Sequence, residues 1–511
     1  MPEYLAPGVY VEEIERGPKP IEGVATSTAA FLGETERGPV RPRLITSYGE
    51  YLRLFGDIFA DGKYMPYAVK AFFDNGGRRV YITRIVGAGG TPAVLELGSF
   101  RIEAVGPGAA SNRIWARLDQ GTIKRGDEAL GFRLRVAYWD RDPPNGGELF
   151  DPFDPANNAL LPRPYMTEDF DDLRLSPESP SYWEKRVNNG NSSLITLRIT
   201  DTVAVADATG GGLLADGADG ATPTVAQYMG ENQDADLRTG LAALALDPYR
   251  EIAVVTAPAA DVDVIQAVIT HCESNRFRFA VIDSPPNQAN SSLLDPRTTI
   301  DDTKYAAFYY PWVRVSDARS GNRVTIPPSG AVCGIYALTD NTRGVWKAPA
   351  NETIAGALDL EYDVDQRAQE VLNPRGVNVI RRFPGRGIRI WGARTLSSDP
   401  LWKYVNVRRL FIFIEASIYN STQWVVFEPN DPRLWARVKQ TLTLFLRSQW
   451  REGALFGLKE EEAFSVAVGR ETMTEDDILN GRLIIEVGIA PVRPAEFVVF
   501  RVYQKTAEAK E

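Results

Sequence analysis

"EIAVVTAPAADVDVIQAVITHCESNRFRFAVIDSPP" (251–286) reads as strand, helix, strand. "EIAVVTAP" and "RFAVIDSPP" are short, nearly continuous apolar runs, the pattern of strands buried on both faces. Between them Asp261 or Asp263 N-caps a helix over "DVDVIQAVITHCESN". Strand, helix, strand in that order implies a right-handed crossover on a parallel sheet. The fold class expected is therefore α/β.

Working outward, "LRTGLAALAL" (237–246) is helical and "PPSGAVCGIYALTD" (327–340) is a small-residue helix suited to close packing, so residues 225–375 form one α/β domain. Residues 23–94 share that texture. "TAAFLGE" (28–34) is a buried strand and "SYGEYLRLFG" (47–56) a short helix closed by Gly56. "YMPYAVKAFFDNGG" (64–77) is a second helix, and "RRVYITRIV" (78–86) another strand. Between these parts, 95–207 changes to alternating runs such as "FRIEAV", "GFRLRVAYW" and "SSLITLRI". Loops rich in Gly, Pro, Asp and Asn separate them, the mark of a mainly β insertion domain. "ATGGGLLADGADGATPT" (208–224) reads as a flexible Gly/Asp-rich linker.

The stretch 376–495 is expected to be a separate C-terminal domain. Asp431 caps its main helix, Pro432 takes the first helical position and Gly453 follows the last turn. Leu434, Val438, Leu442, Phe445 and Leu446 share one face, while Arg433, Arg437, Arg447 and Arg451 lie largely on the other. Strands follow at "AFSVAVG", "RLIIEVGIAP" and "EFVVFRVYQK", the last in a tail at 496–511. At the other end, Pro2, Pro7, Pro18 and Pro20 exclude a helix from residues 1–22, leaving an extended arm with a strand-prone Val9–Val11. Two readings stay open for these terminal strands: pairing inside their own domain, or addition to a sheet edge on a neighbouring subunit.

The 511 residues carry 67 acidic against 57 basic side chains, a formal charge of −10, which argues against nucleic acid as a main partner. Two cysteines, Cys272 and Cys333, suit synthesis in a reducing compartment. The N-terminus shows no secretion signal and the most apolar stretch, Leu410 to Ile418, is far too short for a membrane span. Cytoplasmic synthesis and assembly are expected, without direct membrane insertion; later release as an extracellular particle or virion would leave no mark on the sequence.

Chemistry is sparse. His271, the single histidine, stands beside Cys272 in a helix, without a recognisable nucleophile or orienting acid. There is no Walker loop, the glycines of "FPGRGIRIWG" do not open a helix after a strand, and "ADGADGA" lacks calcium-loop spacing. Glu12-Glu13 and Asp476-Asp477 read as solvated or helix-start acids rather than a glycosidase pair, with Thr474 to Asp477 an N-capping turn. No cofactor and no metal is expected, and no catalytic residue is assigned.

"APGVYVEEIERGPKPIEGVATSTAAFLGETERGP" (6–39) resembles the start of the contractile tail sheath family, shared by contractile-tailed phages and phage-like contractile injection systems. Similar blocks are 327–352, "RGVNVIRRFPGRGIRIWGARTLSSDPLWKYVNVRRLFIFIEASI" (375–418), 422–457 and "GRLIIEVGIAPVRPAEFVVFRVYQ" (481–504). The resemblance implies that both chain ends meet in a conserved inner domain, that the middle α/β region is subtilisin-like, and that the β insertion projects outward. It implies a non-enzymatic subunit stacking as sixfold rings in a helical homopolymer around an inner tube, with baseplate and terminator or cap proteins as further partners. Gly8, Val9, Tyr10, Val11 and Glu12, with Phe497, Val498, Val499, Phe500 and Val502, would carry inter-subunit pairing; Arg433 and Arg437 could face an acidic tube. The rival reading is a subtilisin-like serine hydrolase with Ser329 as nucleophile. Against it, Pro327-Pro328 replaces the usual turn before Ser329, and His271 lacks the expected glycine neighbour.

Overall fold

The computed structural model describes residues 21–144, 151–157, 160–188, 190–231, 234–235, 237–289, 291–317 and 319–501. The chain divides into a larger unit, Ala25–Arg409, and a smaller one made from both ends, Met1–Val24 with Leu410–Glu511.

An eight-stranded sheet organises the larger unit. Its order is Arg43–Ile45, Val80–Arg84, Ala29–Gly33, Val254–Thr256, Phe279–Asp283, Ala306–Tyr310, Val377–Phe383, Gly387–Ile390. The six inner strands pair in parallel and the two outermost are antiparallel additions. Ala29–Gly33, Val80–Arg84, Phe279–Asp283 and Ala306–Tyr310 are buried at every position, which is why their apolar runs do not alternate. Asp261 stands at the N-cap of helix Val262–Asn275. Residues 23–94 and 225 onward thus build one sheet. That sheet carries on past the expected boundary at 375/376, because Phe308 pairs with Val377 and Tyr309 with Asn378. The division falls instead within helix Val405–Ser421. A boundary read from local texture could not register a strand pairing across about seventy residues.

The small-residue helix is Ser329–Arg343, and it packs on Met65–Asp74 at backbone contact. A Cβ on Gly330 would lie 2.3 Å from the Ala68 carbonyl oxygen, and one on Gly334 2.5 Å from that of Phe72. The buried pair Arg409–Asp340 (2.6 and 2.8 Å) anchors the same helix.

The insertion leaves the sheet after Val80–Arg84 and returns before Val254–Thr256. It holds a four-stranded antiparallel sheet (Met166–Leu173, Phe132–Tyr138, Ile114–Gln120, Gly210–Leu213) and a three-stranded one (Ile195–Ile199, Phe100–Ala104, Val94–Leu97). They enclose a separate core in which Phe100 meets Phe132 edge-on at 5.5 Å. The expected linker at 208–224 is corrected here. Gly210–Leu213 is a strand on Ile114–Gln120, Ala215 and Ala218 bridge to Val94 and Thr91, and Asp219 accepts the Ala109 amide at 2.9 Å. Glycine serves close approach rather than slack: a Cβ at Gly217 would meet the Gly108 oxygen at 2.7 Å.

In the smaller unit, Asp431 accepts the Arg433 and Leu434 amides at 2.9 Å and starts helix Pro432–Arg451. Leu434, Val438, Leu442, Phe445 and Leu446 form its buried face. Gly453 follows at φ +90°, the left-handed region that stops a helix cheaply only at glycine. Residues 21–24 lie on the stretch after Leu410: Val24 donates to Ser417 Oγ at 3.1 Å, and a Cβ on Gly23 would touch Phe413 at 3.0 Å. Phe464–Val468 and Ile485–Ile489 make a two-stranded antiparallel sheet. Thr474 and Asp477 form the capping box expected of the turn between them.

Candidate assembly site

The hydrolase residues do not assemble into a triad. Ser329 Oγ donates to Asp283 Oδ2 at 2.6 Å and its amide to Asp283 Oδ1 at 2.7 Å, with both residues buried. His271 is engaged elsewhere: its Nε2 accepts from Arg278 at 2.5 Å, and Asn275 lies 3.4 Å from Nδ1. Burial and the Arg278 charge push His271 down to about 3, so it stays neutral. It is a packing histidine that holds an arginine which also donates to the Leu244 and Tyr249 carbonyls. Both cysteines are buried and free, their thiols pushed up by burial. Among the described residues no group of three His, Cys, Asp or Glu could hold a metal, and no helix is long and apolar enough to cross a membrane.

The smaller unit is different in kind. Among the described residues each strand of its sheet pairs along its length with the other, with no third strand, and Leu455 bridges Pro491 just beyond the second strand. The register places Val468, Val466 and Phe464 opposite Ile485, Val487 and Ile489 on one face. Phe464 and Val468 are buried, yet all three apolar side chains of the outer strand remain only half covered. That is the surface of a sheet short of strands. Beyond it, Phe497, Val498, Val499 and Phe500 run in no regular structure, with exposures of 71, 68, 76 and 86%. Four consecutive exposed apolar side chains, β-prone in sequence and without a strand partner among the described residues, are a feature that a monomeric protein rarely keeps. Gly8, Val9, Tyr10, Val11, Glu12 and Val502 lie outside the described residues.

Of the basic helix face, part is committed internally. The Arg437 guanidinium stacks 4.0 Å over Trp424, and Arg447 makes two bonds to Glu460 (2.7 and 2.9 Å). Arg433 is exposed. The signal for the outer strand is legible as the Ile485, Val487, Ile489 alternation; that it pairs with Phe464–Val468 and with no third strand among the described residues is not.

Fold and site together define a multidomain α/β protein, decorated by a β insertion and carrying a two-stranded sheet in its smaller unit. Comparison with known proteins gives that class a family. Residues 230–396 match the phage tail sheath protein central domain and 397–505 the phage tail sheath C-terminal domain. The chain belongs to the contractile tail sheath family, which is structural rather than enzymatic. A prophage sequence of Pseudomonas aeruginosa (strain UCBPP-PA14), described as a major tail sheath protein, is 27% identical over 246 residues, which cover 46% of this chain and 61% of that relative. The match spans less than two thirds of that relative. The tail sheath protein of Burkholderia phage BcepMu is 22% identical over 479 residues, 88% of each chain. Among solved structures, the contracted helical sheath of the anti-feeding prophage aligns with TM-score 0.59 at 25% identity, covering 98% of this chain and 100% of that one. The contracted sheath complex of the PVC extracellular contractile injection system aligns with TM-score 0.59 at 24% identity, covering 99% of each. The serine hydrolase reading finds no support in the fold's relatives or in the buried Ser329.

Proposed function

We propose that this chain is the sheath subunit of a contractile injection apparatus. It polymerises as stacked sixfold rings around an inner tube, between a baseplate and a terminator or cap, and shortens to drive the tube into a target. The observation that supports the reading is the two-stranded sheet of Phe464–Val468 and Ile485–Ile489, which has no third strand among the described residues, with the exposed run Phe497–Phe500 beyond it. Gly8–Glu12 of one subunit and Phe497–Val502 of another would add to the edges of that sheet, burying the half-covered face of Ile485, Val487 and Ile489. About five backbone hydrogen bonds at ~1 kcal/mol each make one arm worth only several kcal/mol. Repeated through a lattice, such links hold neighbours together while whole subunits rotate as rigid bodies. The work of contraction is stored at assembly in a metastable extended lattice and released as more inter-subunit surface is buried. Assembly belongs in the cytoplasm, with release as a particle.

The test is deletion of residues 1–16 and, separately, Val498→Asp with Phe500→Asp. Each protein is then viewed by electron microscopy with and without tube. Folded subunits that build no sheath are expected; normal tubes from both proteins would refute strand exchange. Arg433→Glu should impair assembly on the tube more than Arg437→Glu, because the Arg437 head group is already occupied by Trp424. Equal, undiminished assembly would remove the basic helix from the tube interface.

A further inference from the structure

The chain enters the larger unit at Ala25 and leaves it at Arg409, and these two points are bound to each other. The Arg409 guanidinium donates from Nη2 to the Thr26 carbonyl at 2.9 Å. From Nη1 and Nη2 it also donates to the two Asp340 oxygens, at 2.8 and 2.6 Å. It lies 4.7 Å over the Tyr336 ring, whose hydroxyl meets that of Tyr309 at 2.6 Å. The Arg409 and Asp340 side chains are each 3% exposed. One cation thus joins the incoming segment, the outgoing helix Val405–Ser421, helix Ser329–Arg343 and, through the two tyrosines, strand Ala306–Tyr310.

Stability alone does not account for an ion pair in this place. Desolvation of both charges offsets most of their attraction, and apolar side chains of similar volume often serve as well. An apolar side chain cannot grip a backbone carbonyl. A guanidinium fork can, while still holding a carboxylate. The grip falls at a mechanically exposed point. Only Ser27 and Thr28 separate Thr26 from Ala29–Gly33, which lies inside the eight-stranded sheet between Val80–Arg84 and Val254–Thr256. Inward of the grip, the Thr28 carbonyl receives the Ala253 and Val254 amides at 2.9 and 3.3 Å. A pull on Ala25 without Arg409 would load that strand from its end, one bond after another.

We propose that Arg409 is a mechanical clasp. It diverts tension entering at Ala25 into its own helix and into Ser329–Arg343, so that Ala29–Gly33 is not peeled from the sheet. The source of the tension rests on the sheath reading, in which neighbouring subunits draw on the chain ends; the clasp belongs to one chain and is tested on one.

Optical tweezers pull the full chain between handles on Glu22→Cys and Asp247→Cys, both exposed positions; the two native thiols are buried. Forced opening follows the unfolding rate rather than equilibrium stability. In Arg409→Met with Asp340→Leu, the urea midpoint should stay near that of wild type. Release of residues 25–33 at a fixed force should nevertheless be about tenfold faster, the equivalent of 1.4 kcal/mol. Arg409→Lys keeps the charge but not the fork, and should also fold and release faster. With handles on Asp247→Cys and Asp363→Cys, neither on an exit segment, wild type and variants should open at the same rate. Unchanged release from position 22 in a folded variant, or equal acceleration with both handle pairs, would overturn the clasp. Neither outcome depends on sheath assembly, so failure of the clasp and failure of strand exchange are read separately.

Discussion

Replacing Asp283 by asparagine turns the buried Ser329 contact into a measurement. Asp283 closes strand Phe279–Asp283, is wholly buried, and takes the Ser329 hydroxyl, the Ser329 amide and the Ala259 amide (3.2 Å). Desolvation outweighs those three bonds and pushes the carboxyl up to about 6. The folded chain therefore binds this proton more tightly than the unfolded chain does. Its contribution to stability is full below the unfolded value near ~3.9 and is lost as pH rises through about 6. A gap of about two units corresponds to ~3 kcal/mol in full, of which about 2 kcal/mol falls between pH 4 and 7.5. Carboxylates such as Asp119 and Asp317 are held low and slope the other way, so the wild-type curve alone is not diagnostic. The difference between wild type and Asp283→Asn is. Asparagine offers one acceptor fewer, an offset of about 1–2 kcal/mol that does not vary with pH. The variant should be clearly less stable at pH 4 and close to or above wild type at pH 7.5. Urea unfolding at a series of pH values, followed by pulse-labelling of amides 279–284, reads that difference. Parallel curves, separated by a constant amount across the range, would refute the reasoning.

Two further tests address packing. Gly330→Ala should destabilise the larger unit by about 2 kcal/mol or more in urea, because its methyl meets backbone at Ala68 and the two helices must separate; an unchanged midpoint would show that they part freely. Asp340→Ala should cost about 3–5 kcal/mol by stranding the buried Arg409, whereas replacing both partners with leucine and methionine should recover most of it. Equal losses in the single and double variants would mean the pair itself is not the issue.

Much of this protein is written locally. The Asp431–Pro432 start and Gly453 stop of the long helix, the buried runs at 29–33 and 279–283, the capping turn at Thr474 and the small-residue helix at 329 all follow from near-neighbour chemistry: caps, fixed φ, side-chain periodicity. The sequence also carried the family, in blocks such as 375–418. Three things required the tertiary structure. Residues 208–224 are Gly-rich because backbones approach closely there, and composition cannot distinguish that from a flexible linker. The strands at 377–390 belong to the larger sheet because Phe308 and Tyr309 pair with them, a register with no local signature. Asp283, as the partner of Ser329, is defined by what surrounds it in space. Electrostatics and edge pairing depend on neighbours brought together only by folding, whereas helix starts and strand periodicity are properties of the chain itself.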